Sequence, residues 1–294
     1  MKRSEKAITS AVKVAGSSSI LFVLLIFIFL LREGLPAIGE VSFSDLLQKR
    51  WYPIEDMFGL LPLISGSLIV TFTSVAIALP FGVGTAIYIG EIAPARVKEV
   101  LKPLVEIMAG IPSVVLGFIG ILVLSPLMRR SLGLPTGLTA LTGSILLALI
   151  SIPTIVSIAE DALYAVPNSY REASYALGAS HWQTIWRVVM PAARSGVLTA
   201  VMLGIGRSLG ETMAVMMVTG NAATIFSGLS SVIQPVRTMT ATIASEMGEV
   251  ATGSTHYHVL FFIGIILFLF SLVINVSSSS ASLKARKGKE QLIS

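Results

Sequence analysis

The chain has 294 residues, of which 54% are hydrophobic and only 13% are charged. A soluble domain carries roughly 25% charged residues, so the composition excludes an ordinary water-soluble protein and indicates that lipid surrounds much of the chain. The absence of cysteine excludes disulfides, cysteine nucleophiles and cysteine metal ligands, although it does not fix the compartment. A net charge of +5 in such a protein serves orientation in the membrane more often than nucleic-acid binding.

The first apolar stretch runs from Ile20 to Leu31 and follows a basic N-terminal segment. A secretory signal peptide has the same order of basic and apolar residues. No small-x-small cleavage pattern comes after the stretch, because Arg32 and Glu33 follow at once. We therefore interpret it as an uncleaved first transmembrane helix.

Other stretches without charge predict five more membrane helices, each supplying the roughly 20 residues that cross the hydrocarbon. With the first included, the predicted helices lie near 15–32, 63–90, 104–128, 137–160, 193–219 and 257–278. Three of them contain a proline, at Pro80, Pro112 and Pro153. We expect a kink at Pro80, and prolines are tolerated in spans where neighbouring helices satisfy the freed backbone groups.

The predicted fold is an all-α polytopic membrane protein with about six transmembrane helices. We divide it into an N-terminal part with the first helix and an external loop (1–60), a membrane core (61–280) and a cytoplasmic C-terminal tail (281–294). In the external loop, Trp51, Tyr52 and Pro53 are expected to anchor at the membrane interface. A second external loop, 220–256, is rich in small residues and is expected to include a short re-entrant or interfacial helix.

The distribution of basic residues predicts that both termini lie in the cytoplasm. With the N-terminus placed inside, fourteen of the 21 Lys and Arg fall in inside segments and six in outside segments, while Arg207 lies within a span. Lys and Arg are enriched on the cytoplasmic side of membrane proteins. The chain is therefore predicted to be a multi-pass protein of the cell membrane.

The cytoplasmic segment 167–191 contains two helix-start patterns separated by a glycine. Ser169 and Glu172 form a capping-box pattern, which predicts the start of a short helix, and Gly178 suits the left-handed conformation that ends it. Ser180 and Gln183 form a second capping box. Four apolar side chains then recur at helical spacing, which predicts an amphipathic helix against the membrane before Pro191: Trp182, Ile185, Trp186 and Val189.

The same segment resembles the EAA motif of ABC-importer permeases, which reads E-A-A, three residues, G, nine residues, I, one residue, L-P. The matching positions are Glu172, Ala173, Ser174, Gly178, Val188, Met190 and Pro191, of which the third, fifth and sixth depart conservatively. Without the resemblance, Glu172 and Gly178 are equally the cap and stop of an ordinary loop. The resemblance implies a type I importer-like permease whose coupling helix docks on an ATPase subunit, with four residues in the coupling role: Glu172, Ala173, Gly178 and Pro191.

The chain contains no phosphate-binding loop of the form G-x-x-x-x-G-K-[ST]. An exposed coupling helix is expected in a chain whose ATPase is a separate polypeptide, because the helix is the surface on which that subunit docks. We therefore expect a transporter subunit that is not itself an enzyme, that holds no cofactor, and that relies on a partner subunit for ATP hydrolysis.

Arg207 and Glu211 are the charges that interrupt the fifth predicted span. Four residues apart, they share one face of a continuous helix. An ionisable residue at mid-membrane costs at least about 2.5–3.5 kcal/mol and is a functional candidate by default, although a structural ion pair is the alternative. Small residues at small-xxx-small spacing predict a close helix–helix seam beside both charges, suited to a path between two permease subunits: Ala200 with Gly204, and Gly206 with Gly210.

The family is narrowed by segment 206–215, which reads Gly-Arg-Ser-Leu-Gly-Glu-Thr-Met-Ala-Val. It closely resembles the G-R-A-L-G-E-T-M-A-V segment of PstC, a permease family of high-affinity phosphate importers. Residues 51–62, 109–115 and 237–241 also fit, and the resemblance runs from about Trp51 to Asn275. It implies that Arg207 and Glu211 lie on the phosphate path. The implied partners are a PstB-like ATP-binding subunit, a PstA-like sister permease and a PstS-like external binding protein, with no nucleic acid.

A physical reading of the pair is available. Arginine offers a planar fork of donors to an oxyanion. Phosphate near neutral pH is still protonated, so it donates a hydrogen bond to a carboxylate. Sulfate has no proton to donate. The pair can therefore favour phosphate over sulfate, although most selectivity is expected to rest on the external binding protein.

Several alternatives stay open at this level. A molybdate, tungstate or sulfate importer shares the coupling hairpin, and the sister permease PstA differs mainly in its outer loop and termini. An intramembrane hydrolase using Glu211 needs a second polar catalytic group in a neighbouring span, and a signalling membrane protein needs no coupling helix. His256 and His258 are too few for a metal site. Four hydroxyl residues are expected to bond helix to helix rather than line a path: Thr71, Thr73, Ser74 and Ser113.

Overall fold

The computed structural model describes residues 3–225 and 228–291 and is built almost entirely of helices. Within these residues, six helices are long and apolar enough to cross a membrane, which confirms the predicted number. They are Ile8–Glu40, Leu61–Ile92, Ser113–Leu132, Ala140–Tyr164, His181–Gly210 and Thr255–Ser277. The predicted tail reaches beyond the described residues at 292–294, and the three-part division of the chain stays a prediction.

The N-terminal part combines one long helix with a compact segment of short elements. Its elements are α1 (Arg3–Gly34), α2 (Pro36–Glu40), α3 (Phe43–Leu46), β1 (Trp51–Tyr52) and β2 (Met57–Phe58). The two short strands pair antiparallel, with Trp51 opposite Phe58. The rest of the chain forms the membrane core and its loops. Its elements are α4 (Leu61–Ile87), α5 (Ala95–Gly110), α6 (Ser113–Ile119), α7 (Ser125–Leu132), α8 (Ala140–Tyr164), α9 (Asn168–Ala176), α10 (His181–Thr184), α11 (Met190–Gly210), α12 (Met213–Val218), α13 (Met239–Glu246) and α14 (Thr255–Gln291).

The centre of the molecule is α8, which packs along both α4 and α11. Glycines at these crossings let the backbones approach closely, because a Cβ atom added to Gly82 or Gly204 would lie within 2.8 Å of the Ile155 side chain. At the periphery α1 packs along α14, where Phe27 stacks on Phe268 with ring centroids 4.6 Å apart. The outward face of α1 stays exposed, as expected for a helix in contact with lipid.

Three serines, one from each of the central helices, meet in the core. Ser208 of α11 lies 2.9 Å from Ser151 of α8 and 3.2 Å from Ser74 of α4, oxygen to oxygen. All are buried, and a buried hydroxyl needs such a partner. The expectation that Ser74 bonds helix to helix is therefore confirmed.

Two of the predicted spans are broken, and their predicted bounds were wrong. The third, expected over 104–128, divides at Ile111 and Pro112, whose ψ angles of 126° and 134° are extended. Proline lacks the N–H of a helical bond and disfavours the helical region for the residue before it. In contrast, α4 and α8 continue through Pro80 and Pro153. The fifth, expected over 193–219, begins earlier and breaks at 211–212, between α11 and α12.

The second external loop contains the expected short helix, α13. Thr238 caps it, with its hydroxyl accepting a hydrogen bond from the Ala241 N–H at 3.2 Å. The prediction that Trp51 anchors at the membrane interface was wrong. Trp51 is 5% exposed and packs with Phe58 and Leu63 in an internal apolar cluster, whereas Tyr52 is exposed.

Candidate functional site

The predicted coupling segment begins with α9, whose N-cap lies two residues before the predicted one. Pro167 occupies the N-cap position, with φ −57° and ψ 140°, and no side chain caps the helix. The capping box predicted from Ser169 and Glu172 was therefore wrong. Because proline already fixes φ near the value that a helix start needs, Asn168 becomes the first helical residue, and Ser169 lies two positions after the N-cap.

Gly178 ends α9 as predicted, in the left-handed conformation with φ +79°. Its N–H donates to the carbonyl of Tyr175 at 2.9 Å, and the Ala179 N–H donates to the carbonyl of Ser174 at 3.1 Å. These two bonds form a Schellman motif, which satisfies the last carbonyls of a helix. The turn reverses the chain with few residues and leaves the outer face of α9 free.

The second capping box is present, since Ser180 and Gln183 bond each other's backbone N–H groups. The helix that it starts, however, does not stop before the membrane. It continues through a π-turn over Ile185–Val189 into α11, with Pro191 as the second residue of α11. A π-turn opens the helix where the proline ring would clash with the carbonyl one turn back.

The predicted single apolar face of this helix was also wrong. Ile185 and Val189 are fully buried, whereas Trp182 and Trp186 are 58% and 48% exposed and contact each other edge to face. The π-turn changes the number of residues per turn, so positions that share a face of a regular helix separate into a buried pair and an exposed aromatic pair.

An ion pair that sequence reasoning missed ties α9 to the second span. Arg171 of α9 binds both carboxylate oxygens of Glu91, with Nε–Oε2 and Nη2–Oε1 distances of 3.1 and 2.5 Å. The same guanidinium donates to the carbonyls of Leu163 and Val166 at the end of α8, at 3.0 and 2.7 Å. The Glu91 and Arg171 side chains are 6% and 16% exposed. The hydrogen bond to Glu91, reinforced by its charge and opposed by desolvation, raises the pKa of Arg171.

The exposed side of the hairpin carries the predicted coupling residues. Glu172 and Ala173 are exposed, and Leu177 is 90% exposed, which is unusual for so large an apolar side chain. A cavity of about 400 Å³ opens between the two arms of the hairpin. It is lined by Tyr170, Ala173, Ser174, Leu177, Ala179, Gln183, Arg187 and Val188.

Arg207 and Glu211 do not share a helix face, which corrects the prediction from their spacing. The helix ends at Gly210, and Glu211 has extended backbone angles of φ −69° and ψ 130°. Within the described residues the two side chains form no ion pair, so the structural-pair alternative has no support in this chain. The break is stabilised from the external loop, because the Thr240 hydroxyl donates to the Glu211 carbonyl at 3.0 Å.

The two side chains have different environments. Arg207 is exposed on the surface of α11, whereas Glu211 is half-buried. The Glu211 carboxylate accepts a hydrogen bond from the Ala214 N–H at 3.3 Å, so it caps the short helix α12. The arrangement places on the outer face of α11, one turn before a break in the membrane span, a guanidinium that has no partner among the described residues.

The small residues of the predicted helix–helix seam also lie in two different environments. Ala200 and Gly204 are buried inside the chain, and Gly204 packs against α8. Gly206 and Gly210 have no atom within 4 Å of their Cβ positions and line a groove between α11 and α14. The seam beside Arg207 and Glu211 is thus partly internal and partly open.

In α13, Glu246 contacts side chains from distant parts of the sequence. It accepts from Trp51 Nε1 at 3.1 Å and bonds His256 Nε2 at 2.8 Å, and it pairs with Arg237 at 2.7 Å. Burial raises the pKa of Glu246, but the bonds from His256 and Trp51 and the charge of Arg237 outweigh it and lower the pKa. His258 contacts Glu33 and Glu40 instead, so the two histidines have separate partners.

The fold and the hairpin define a class of membrane transport subunit. The chain belongs to the family described as binding-protein-dependent transport system inner membrane component, whose model matches residues 78–282. Its fold is that of ABC importer permeases. A chain of the MetNI methionine ABC transporter, in an inward-facing conformation, matches it with a TM-score of 0.62 at 21% identity, over 80% of this chain and 99% of that one.

Two relatives are similar at the level of sequence. The probable ABC transporter permease protein YqgH of Bacillus subtilis is 42% identical over 263 residues, which cover 86% of this chain and 84% of the relative. The phosphate transport system permease protein PstC of Mesorhizobium japonicum is 35% identical over 257 residues, which cover 81% and 77% of the two chains.

Proposed function

We propose that this chain is a transmembrane permease subunit of an ATP-driven importer of inorganic phosphate. The observation that carries the proposal is Arg207, an exposed guanidinium in a membrane helix directly before the break at Glu211. Support also comes from relatives whose names state phosphate transport. A mid-membrane arginine is costly, and a planar fork of donors matches an oxyanion.

In this proposal Arg207 and Glu211 have complementary roles on the path. Arg207 donates hydrogen bonds to phosphate oxygens and offsets the cost of bringing an anion into low dielectric. Glu211 accepts a hydrogen bond from the protonated oxygen of phosphate, and sulfate has no protonated oxygen to donate one. Because the helix ends before Glu211, the direction of its carboxylate is not set by the helical periodicity of α11.

Coupling to ATP hydrolysis is assigned to the hairpin at 167–191. The exposed Glu172 and Ala173 dock on a separate ATPase subunit, Gly178 supplies the turn, and Pro191 begins the connected span. The Arg171–Glu91 pair then carries a movement of the docked helix to the second span. This chain holds no ATP site or cofactor of its own in the proposal.

The proposed partners are a PstB-like ATPase, a PstA-like sister permease and a PstS-like external binding protein. Docking of the hairpin on a cytoplasmic ATPase requires both termini of this chain to lie in the cytoplasm. The sister permease covers the exposed face of α11 that carries Arg207, so the path runs between the two permeases.

Phosphate uptake into proteoliposomes containing the assembled importer tests the proposal. Arg207→Gln is expected to lower the uptake rate by about 10- to 100-fold, the value of hydrogen bonds to a charged group. The complex should still assemble, because no ion pair to Glu211 is broken. Arg194→Gln, an exposed arginine near the start of the same helix, is the matched control and should transport normally. Uptake of sulfate or molybdate in place of phosphate by the unmodified complex would assign another oxyanion.

A further inference from the structure

A small chamber lies beside the break in the fifth span. Its walls come from α4, α8, α11, the break itself, α12 and the start of α13. Its polar lining consists of Ser67, Thr71, Ser208, Glu211, Thr238 and Thr240. Five hydroxyls around one carboxylate are unusual in a wall that is otherwise built of apolar side chains.

Most of these hydroxyls are already engaged. Ser208 bonds two other serines, and Thr240 donates to the Glu211 carbonyl. Ser67 accepts a bond from the Met239 N–H at 2.8 Å, and its own O–H has no acceptor among the residues that the structure describes. Thr71 is 6% exposed, and its hydroxyl has no hydrogen-bond partner anywhere in the described parts of the chain. The side chain lines the chamber, so its hydroxyl is free to bond a molecule held there.

The Glu211 carboxylate also has unfilled hydrogen-bonding capacity among the described residues. One oxygen accepts the bond from the Ala214 N–H at 3.3 Å, and within residues 3–225 and 228–291 the other oxygen has no hydrogen-bond partner. The centre of a water molecule can occupy about 10 Å³ of the chamber, which is the room that one buried water needs, together with two to four polar partners. The unused O–H groups of Thr71 and Ser67 and the free oxygen of Glu211 meet that requirement.

We propose that Thr71 positions Glu211 through a single bound water in this chamber. The water accepts hydrogen bonds from the hydroxyls of Thr71 and Ser67 and donates one to the carboxylate of Glu211. This inference rests on the proposed function. Thr71 is a positioning residue: it holds the Glu211 carboxylate where it accepts a hydrogen bond from the protonated oxygen of phosphate. Thr71 does not itself touch the anion, because the chamber is too small for phosphate.

A cryo-electron microscopy map of the assembled importer, at a resolution that shows ordered waters, tests the site directly. We expect one density peak within hydrogen-bond distance of Thr71 Oγ1 and the Glu211 carboxylate, and its loss in Thr71→Val. An empty chamber, or a peak that persists unchanged in the variant, would overturn the proposal. This test does not depend on which anion is transported.

Uptake kinetics test the role. Thr71→Val should slow phosphate uptake about 10-fold, whereas Thr71→Ser, which keeps the O–H, should stay within about 2-fold of the unmodified protein. Thr73→Val is the matched control, since Thr73 lies on the same helix outside the chamber lining. Unchanged uptake by Thr71→Val, or equal losses in Thr71→Val and Thr71→Ser, would contradict the proposal. If Thr71→Val fails to assemble, the map of the unmodified importer decides. An unmodified complex that transports no phosphate would remove the proposed function and leave the water site standing.

Discussion

At Gly178 the backbone has φ +79°, a conformation that costs other L-residues about 1–2 kcal/mol. The surrounding space is open, with no atom within 4 Å of the Cβ position. Conformation rather than crowding therefore makes glycine necessary here. The same distinction separates Gly178 from Gly204, where a side chain would collide with α8.

We therefore expect Gly178→Val to weaken binding of the ATPase subunit and to reduce phosphate-stimulated ATP hydrolysis, because a β-branched residue strains the turn that presents α9. Gly178→Asn should reduce ATPase binding and ATP hydrolysis much less, since asparagine tolerates the left-handed region better than valine does. Co-purification of the ATPase with each variant measures the effect. Equal behaviour of the two variants would show that the turn's conformation does not limit coupling.

Among the elements, the coupling helix is linked to the second span by Arg171 and Glu91, eighty positions apart in the sequence. The pair is bidentate and largely desolvated. Such pairs contribute little net stability, but removal of one partner leaves a buried charge that costs about 3–5 kcal/mol. The link thus specifies how α9 sits against the membrane core.

Arg171→Gln should consequently loosen α9, because Glu91 is left unpaired. Amide hydrogen exchange over residues 168–176 in the purified protein is the measurement, with faster exchange expected. The double variant Arg171→Gln with Glu91→Gln removes both charges and should recover part of the protection. If the single variant exchanges as slowly as the unmodified protein, the pair does not hold the coupling helix.

For the whole molecule, the side of the membrane on which each loop lies depends on the basic residues and stays a prediction. The cysteine-free chain allows a direct test with single introduced cysteines. Ser44→Cys in the external segment should react only with reagent outside, and Leu177→Cys, at an exposed position on the coupling hairpin, only with reagent from the cytoplasm. Labelling of the cysteine at position 44 solely from inside would reverse the topology. A cysteine at Ser227, in the second predicted external loop, should also react only from outside; this position lies outside the described residues.

The sequence by itself determined the membrane class, the number of spans and the hairpin with its left-handed glycine. Each of these follows from local information: runs of apolar residues, charge distribution, and the backbone preferences of glycine and proline. Chain-local rules also predicted the cap at Ser180 correctly, but they failed at Ser169, where the neighbouring proline moved the helix start.

Only the tertiary structure decided the surroundings of the two intramembrane charges. A continuous helix would have paired Arg207 with Glu211, and nothing in the spacing reveals that Thr240, from a loop nearly thirty residues later, binds the Glu211 carbonyl at a break. The Arg171–Glu91 pair, the Glu246 network and the chamber at Thr71 are likewise formed by residues far apart in sequence. Their contacts depend on how helices cross and where π-turns and breaks rotate side chains, and sequence periodicity carries no information on that rotation.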